Sequence, residues 1–260
     1  MNYKMADYDI IGNIAIIKSE GKTKTQKLKQ AKQLLKKPSI KTVLEKSTDI
    51  KGRLRTFKTK YIAGEKTKET IHRENNCKFK LNVETCYFSP RQSNDRKLIA
   101  SKIRKKDNVL VMFSGISAYP IVIYKTKKPK SITAIEISRE CTKYAKLNKK
   151  LNKIPEPAIN IIQGDVKKQI PKLKKKFDTI MMTRPNLKTS FLEQALKASK
   201  KGTRIFYHGF CHVDKLKELK QELLDEAKQL KRKIKITKIA KAGDIAPFKL
   251  RWRIEIKVLS

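Results

Sequence analysis

Val109-Leu110-Val111-Met112-Phe113, followed at once by Ser114-Gly115-Ile116-Ser117, is an apolar run of strand length that breaks into a turn of small residues around one glycine. Such a short run, bounded by a turn signal, reads as a strand buried on both faces. Similar runs follow at Ile132–Ile137, Ile159–Ile162, Asp178–Met182 and Thr203–Tyr207. Between them lie helical stripes: Cys141, Tyr144, Ala145 and Leu151; then Leu192, Ala195, Leu196 and Ser199; then Leu216, Leu219, Leu223, Ala227 and Leu230. Alternation of strand and helix needs crossover connections, so the expected fold is α/β with a mostly parallel, Rossmann-like sheet. The end departs from this pattern, since Lys233–Ala240 and Leu250–Leu259 are two strands with no helix between them, the signature of a closing antiparallel hairpin.

Upstream of Tyr87 the pattern differs. Asp9–Ile17 reads as a strand interrupted near Gly12, and Leu28, Ala31, Leu34 and Leu35 mark an amphipathic helix that Pro38 ends. Between Lys41 and Val83 the apolar residues alternate, as in Cys77, Phe79, Leu81 and Val83 against Lys78, Lys80 and Asn82. Residues 1–86 are therefore expected to form a small α+β domain with basic residues on its sheet face, and residues 87–260 the larger α/β domain. The lysine-dense piece Lys167–Lys176 reads as a solvated loop.

Composition narrows the function. The chain has 64 Lys and Arg against 24 Asp and Glu, a net charge of +40 in 260 residues, which draws in any polyanion. Abundant lysine is equally what an AT-rich genome encodes, so the charge supports an RNA partner without locating it. No apolar run reaches membrane-spanning length and Met1–Asp9 lacks a secretory pattern, so a cytoplasmic protein with no membrane association is expected. Cys77, Cys86, Cys141 and Cys211 are widely spaced, which suggests small buried side chains and no disulfide framework. His208-Gly209-Phe210-Cys211-His212 lacks a distant fourth ligand, so no metal site is expected there and the stretch reads as the end of the fifth strand.

Ligands of a doubly wound sheet lie beyond the carboxyl ends of its strands. Phe113, Ser114, Gly115 and Ile116 form the first such turn, which taken alone is equally a tight turn with no ligand. Glu136, with Ile137, ends the second strand about 20 residues on, where a carboxylate accepts hydrogen bonds from the ribose of a nucleoside cofactor. Asp165, with Val166, ends the third, where it either accepts from an adenine amino group or caps a helix. Three such positions at successive strand ends are more persuasive than any one.

Arg73-Glu74-Asn75-Asn76-Cys77-Lys78-Phe79-Lys80, then Tyr87-Phe88-Ser89-Pro90-Arg91, then Phe113-Ser114-Gly115-Ile116, resemble in order and spacing the archaeal and eukaryotic tRNA (guanine(37)-N1)-methyltransferases. The opening Tyr8–Gly12 and the closing Ile245-Ala246-Pro247 extend the likeness over nearly the whole chain. The resemblance implies a class I methyltransferase domain, S-adenosylmethionine as cofactor, and the anticodon stem-loop of tRNA as partner, with a monomer expected. It implies Asp95 as the base for guanine N1, Arg55 at O6 with Arg53 as the alternative register, and Arg91 organising the loop that faces the cofactor. Tyr87, Thr183 and Pro185 join the cofactor set, Thr183 also standing where relatives carry a catalytic-site Asn. Relatives carry Glu at Asp95, Asp at Val111 and Gly at Ser117. No counterpart of the domain with which relatives touch the tRNA elbow is expected. A wyosine-pathway aminocarboxypropyl transferase on the same nucleotide, a methyltransferase acting also on a wyosine intermediate, and a non-catalytic tRNA-binding paralogue are the competing readings.

Overall fold

The computed structural model describes residues 8–18, 21–50, 52–183 and 189–260. The chain divides into two compact units, residues 1–90 and residues 91–260. The division lies between Pro90 and Arg91, a little beyond the expected 86.

In the first unit, β1 (Tyr8–Ile11) and β2 (Ile14–Ile17) form an antiparallel hairpin rather than one interrupted strand. The reversal is made at Gly12, whose φ of +57° suits glycine, and a Cβ there would lie 2.0 Å from Thr70 Oγ1. After β2 come α1 (Lys24–Leu35), capped by a reciprocal Thr23–Gln26 box, then β3 (Thr42–Lys46) and β4 (Thr59–Gly64). These strands form one sheet in the order β1-β2-β3-β4, and Ala31 and Leu34 of α1 pack on Ala15, Ile17 and Val43. A second antiparallel pair, β5 (Glu69–Glu74) and β6 (Cys77–Asn82), buries Cys77, Phe79 and Leu81 and leaves Lys78 exposed, as the alternation predicts.

The second unit begins with α2 (Ser93–Lys102) and continues β7 (Asn108–Met112), α3 (Ala118–Lys127), β8 (Ser131–Glu136), α4 (Arg139–Leu151), β9 (Ile159–Gln163), α5 (Val166–Gln169) and β10 (Phe177–Met182). It ends α6 (Leu192–Ala198), β11 (Ser199–His212), α7 (Leu216–Gln229), β12 (Ile234–Ala246) and β13 (Lys249–Val258). The described residues form a seven-stranded sheet in the order β12-β13-β11-β10-β7-β8-β9. β11, β10, β7, β8 and β9 are parallel, and β13 and β12 close the edge antiparallel. This is the mostly parallel Rossmann-like arrangement of class I methyltransferases with its C-terminal antiparallel hairpin. One face packs α6 and α7 through Leu192, Ala195, Leu196, Leu223 and Ala227 onto Ile180, Ile205 and Ile254.

Lys167–Lys176 is not the expected loop. It folds as α5 and a 3-10 turn over Ile170–Leu173, because Asp165 accepts the Lys167 N–H at 2.9 Å and Val166 and Ile170 are buried. The four cysteines are free, three buried and Cys211 half-buried. Among the described residues no helix is long and apolar enough to cross a membrane.

Candidate active site

The carboxyl ends of β7, β8, β9 and β10 lie along one edge of the sheet, because the four strands are parallel and in register, with Met112 opposite both Ile135 and Met182. The turn after β7 is an unusual piece of backbone. Phe113, Gly115 and Ser117 all have positive φ, at 62°, 56° and 64°. Two of the three are not glycine, and a conformation disfavoured for side chains persists only when its surroundings fix it. Here the Ser114 N–H donates to Ile135 O at 2.9 Å, and the Gly115 N–H donates to Glu136 Oε2 at 2.7 Å.

Glu136 is the hub of this edge. Its Oε1 accepts the Ser138 N–H at 2.8 Å, and the side chain is buried. Burial raises its pKa above the ordinary glutamate value, against the pull of the backbone donors at Ser138, Gly115 and Ile137. Three backbone donors use three of the four acceptor positions of the carboxylate, which leaves one with which to accept a hydroxyl. The neighbouring turn also suits a polar ligand: Ser114 Oγ and Ser117 Oγ are buried with no hydrogen-bond partner, a costly state for a hydroxyl unless a ligand group supplies one. Asp165 is half-buried and spends one oxygen on the N-terminus of α5. Ile137 accepts from Gln163 Nε2 at 3.0 Å through its backbone oxygen. The residues at these strand ends fit S-adenosylmethionine, with Glu136 and Asp165 as acceptors and the turn at its polar end. Glu136→Gln is expected to weaken S-adenosylmethionine binding by roughly tenfold or more, since it replaces a charged acceptor. Unchanged affinity in titration calorimetry would remove Glu136 from the site.

Thr183 is committed to structure: its Oγ1 lies 3.0 Å from both Met112 O and Phe113 O, stapling the end of β10 to the β7 turn. A hydroxyl has one proton, so the bond is shared. Pro185 lies outside the described residues.

A second group of side chains sits on the sheet face under α2 and α3. Asp95, in the first turn of α2, is enclosed by donors from three other elements. The Tyr119 hydroxyl of α3 donates to Oδ2 at 2.7 Å, His208 Nε2 of β11 lies 3.0 Å from the same oxygen, and Arg253 of β13 pairs with Oδ1. All four side chains are buried. Burial alone would raise the Asp95 pKa, but His208, Tyr119 and Arg253 overcome it and hold the carboxyl well below the usual range. Burial lowers the His208 pKa despite Asp95, so the ring is a neutral N–H donor near neutrality. Arg251 and Arg96 are buried nearby, Arg96 lying 5.6 Å over the Tyr119 ring. Tyr119 is two residues beyond Ser117, which ties Asp95 to the turn after β7 through a single helical turn.

In the first unit, Arg55 and Tyr87 meet, the guanidinium carbon standing 3.8 Å from the ring centroid. Arg55 has φ +56° and donates its N–H to Gly52 O at 3.2 Å. Arg53 is exposed, as is Arg91 in the 3-10 turn that opens the second unit. His208 and Cys211 lie on opposite faces of β11, His208 with Asp95 and Cys211 with Trp252, so the His208–His212 stretch makes no common ligand set.

Sequence reasoning did not find Tyr119, His208 and Arg253 as partners of Asp95. Tyr119 had a detectable signal, its place just past the glycine turn. His208 and Arg253 are brought in by strand pairing far along the chain and had none.

Residues 70–237 match the TRM5/TYW2 methyltransferase domain, and residues 2–67 match the TYW2 N-terminal domain. The chain belongs to the TRM5/TYW2 methyltransferase family. Within the TRM5/TYW2 family it is 30% identical to the tRNA (guanine(37)-N(1))/4-demethylwyosine(37)-methyltransferase Taw22 of Nanoarchaeum equitans, over 97% of this chain and 99% of that one. It is 33% identical to the tRNA (guanine(37)-N(1))-methyltransferase Trm5b of Pyrococcus abyssi over 82% of this chain, and spans 64% of that relative's length. The crystal structure of Pyrococcus abyssi Trm5b superposes with a TM-score of 0.85 at 30% identity, covering 98% of this chain and 76% of that one.

Proposed function

We propose that the chain is a tRNA (guanine(37)-N1)-methyltransferase, moving a methyl group from S-adenosylmethionine to N1 of the guanosine 3′ of the anticodon. The observation that carries this reading is the likeness to Taw22 over the full length of both chains. Taw22's name also covers 4-demethylwyosine, so a wyosine intermediate at the same position belongs to the proposed substrate set.

Bound at the β7–β10 edge, S-adenosylmethionine supplies an electrophilic methyl group. The protein's own task is to hold guanine, steady charge on O6 and remove the N1 proton. Once N1 is alkylated its proton is strongly acidic, so a weak base suffices. Asp95, kept ionised by His208, Tyr119 and Arg253, meets that requirement. Arg55 is assigned to O6, its guanidinium held over the Tyr87 ring, and Arg91 to the loop facing the cofactor. Thr183 serves by fixing the turn that carries Phe113 and Gly115. The first unit, with Arg73 opposite Lys78 on β5 and β6, is assigned to the anticodon stem. We take the enzyme to act as a monomer in the cytoplasm.

The test is transfer of labelled methyl to an unmodified tRNA transcript with G at position 37, against the same transcript with A there. Incorporation with G alone is expected. Incorporation with neither, when S-adenosylmethionine binds, points to aminocarboxypropyl transfer; failure to bind it at all points to a non-catalytic tRNA-binding protein.

A further inference from the structure

β11 and β13 remain paired beyond the end of the parallel sheet. β10 stops at Met182, opposite Tyr207, whereas β11 continues through His208–His212 against Lys249–Arg253. Five residues at about 3.3 Å each carry this ribbon roughly 16 Å past the strand end that holds Thr183. At its tip is Phe248, which is 68% exposed, the most exposed large apolar side chain among the described residues. Its φ is +56°, a region that aromatic residues avoid. Pro247 and Phe248 are the two-residue turn between β12 and β13, which imposes the positive φ, and the Val213 N–H donates to Phe248 O at 2.9 Å. His212 stands beside it with ring centroids 5.8 Å apart, and its Nδ1 lies 3.0 Å from Asp214, which orients the imidazole. Lys215 and Lys249 are exposed next to the pair, Lys215 3.4 Å from Glu218.

A side chain this exposed gains nothing from folding, and glycine or asparagine suits such a turn position better than an aromatic residue, so an exposed phenylalanine there points to a ligand contact. We propose that Phe248, with His212 beside it, is a stacking platform for an unpaired base of the RNA loop that the enzyme modifies. The proposal rests on the tRNA reading above and extends it to a second contact. Every nucleobase offers a π-face, and a chain with net charge +40 attracts the phosphates that flank it. The ribbon reaches past the same sheet edge as the cofactor turn, a span that a few nucleotides bridge.

Anisotropy titration of the full chain with an unmodified anticodon stem-loop tests this. Phe248→Ala is expected to weaken RNA binding by about tenfold, and Phe248→Trp to keep wild-type affinity, with S-adenosylmethionine affinity and melting temperature unchanged in both. A series of stem-loops carrying a single abasic nucleotide adds the decisive comparison. At one loop position the abasic RNA should bind wild type about tenfold more weakly and Phe248→Ala no more weakly than intact RNA does. Equal RNA affinity of Phe248→Ala and wild type, or equal losses in both proteins at every abasic position, would overturn the stacking role while leaving the tRNA reading intact. Absence of tRNA binding by wild type would overturn both. Self-association of wild type that Phe248→Ala abolishes would assign the tip to a second copy of the chain and overturn the proposal.

Discussion

Asp95→Asn is expected to lower methyl transfer to tRNA by about 10²–10⁴-fold, the range for loss of a positioned base, with S-adenosylmethionine binding unchanged. The side chain keeps its shape but loses its charge, so buried Arg253 loses the nearer of its two carboxylate partners, keeping only Glu255 at 3.4 Å, and His208 and Tyr119 keep a weaker acceptor. Removing one member of a buried ion pair costs about 3–5 kcal/mol, so a lower melting temperature should accompany the loss of turnover. Stability should also change its dependence on acid. The folded pKa of Asp95 is depressed below its ordinary value of 3.8, so its contribution is complete above roughly pH 5 and is lost as the pH falls through the depressed value. Wild type should therefore lose stability on acidification below about pH 4 more steeply than Asp95→Asn. Asp95→Glu separates charge from fold, since it keeps a carboxylate at this position, and it should retain turnover. Wild-type turnover in Asp95→Asn at neutral pH would remove Asp95 from proton transfer.

The strand-end edge proposed for the cofactor was legible as a place in the fold because it is built from local signals. Each of Gly115, Glu136 and Asp165 ends an apolar run, and a strand end is a place in the sequence as well as in space. The Asp95 cluster was half legible. Asp95 itself came from likeness to relatives, but its partners are joined to it only by the fold: His208 is 113 residues away and Arg253 is 158. No periodicity encodes which residue of β11 will face α2, because that depends on the register of β11 against β10 and β13. The Gly12 hairpin was misread as one strand for a similar reason, since two four-residue strands around a single glycine share the apolar pattern of one bulged strand. Lys167–Lys176 was misread because its lysines hid the spacing of Val166 and Ile170, which lie on one face of a short helix. Phe248 was invisible, because exposure of an apolar residue is a property of the finished surface.

The cluster and the cofactor edge are one mechanical unit. α3 begins at the strained turn, where Ser117 O accepts the Ile121 N–H at 3.0 Å, and its second residue is Tyr119. Thr183 holds the opposite side of the same turn through Met112 O and Phe113 O. A change in turn backbone therefore reaches Asp95 through Tyr119, and reaches the end of β10 through Thr183. By this coupling, residues with no ligand contact would hold the proposed base and the proposed methyl-donor turn in a fixed relation.

Gly115→Val should abolish this arrangement at its source, with S-adenosylmethionine affinity falling by about a hundredfold or more. Gly115 has φ +56°, a conformation in which a β-branched residue is a steric outlier, so the valine variant must shift the backbone. The shift withdraws the Gly115 N–H from Glu136, leaving a buried carboxylate short of a donor and free to turn from the position proposed to accept a ribose. A hydrogen bond to a charged group is worth about 1.5–3 kcal/mol, and the turn's approach to the ligand is lost with it, so the two losses together reach the stated factor. Gly202→Ala is the control. Gly202 also has positive φ, at 86°, but a Cβ there meets nothing within 4 Å and the residue lies near the opposite end of β11, away from the cofactor edge. Both variants carry the backbone penalty of a side chain at positive φ, and only Gly115→Val should lose the cofactor. Calorimetry showing wild-type S-adenosylmethionine affinity in Gly115→Val would mean that the turn after β7 does not touch the methyl donor. Equal losses in the two variants would mean that general destabilisation, and not the turn, governs binding.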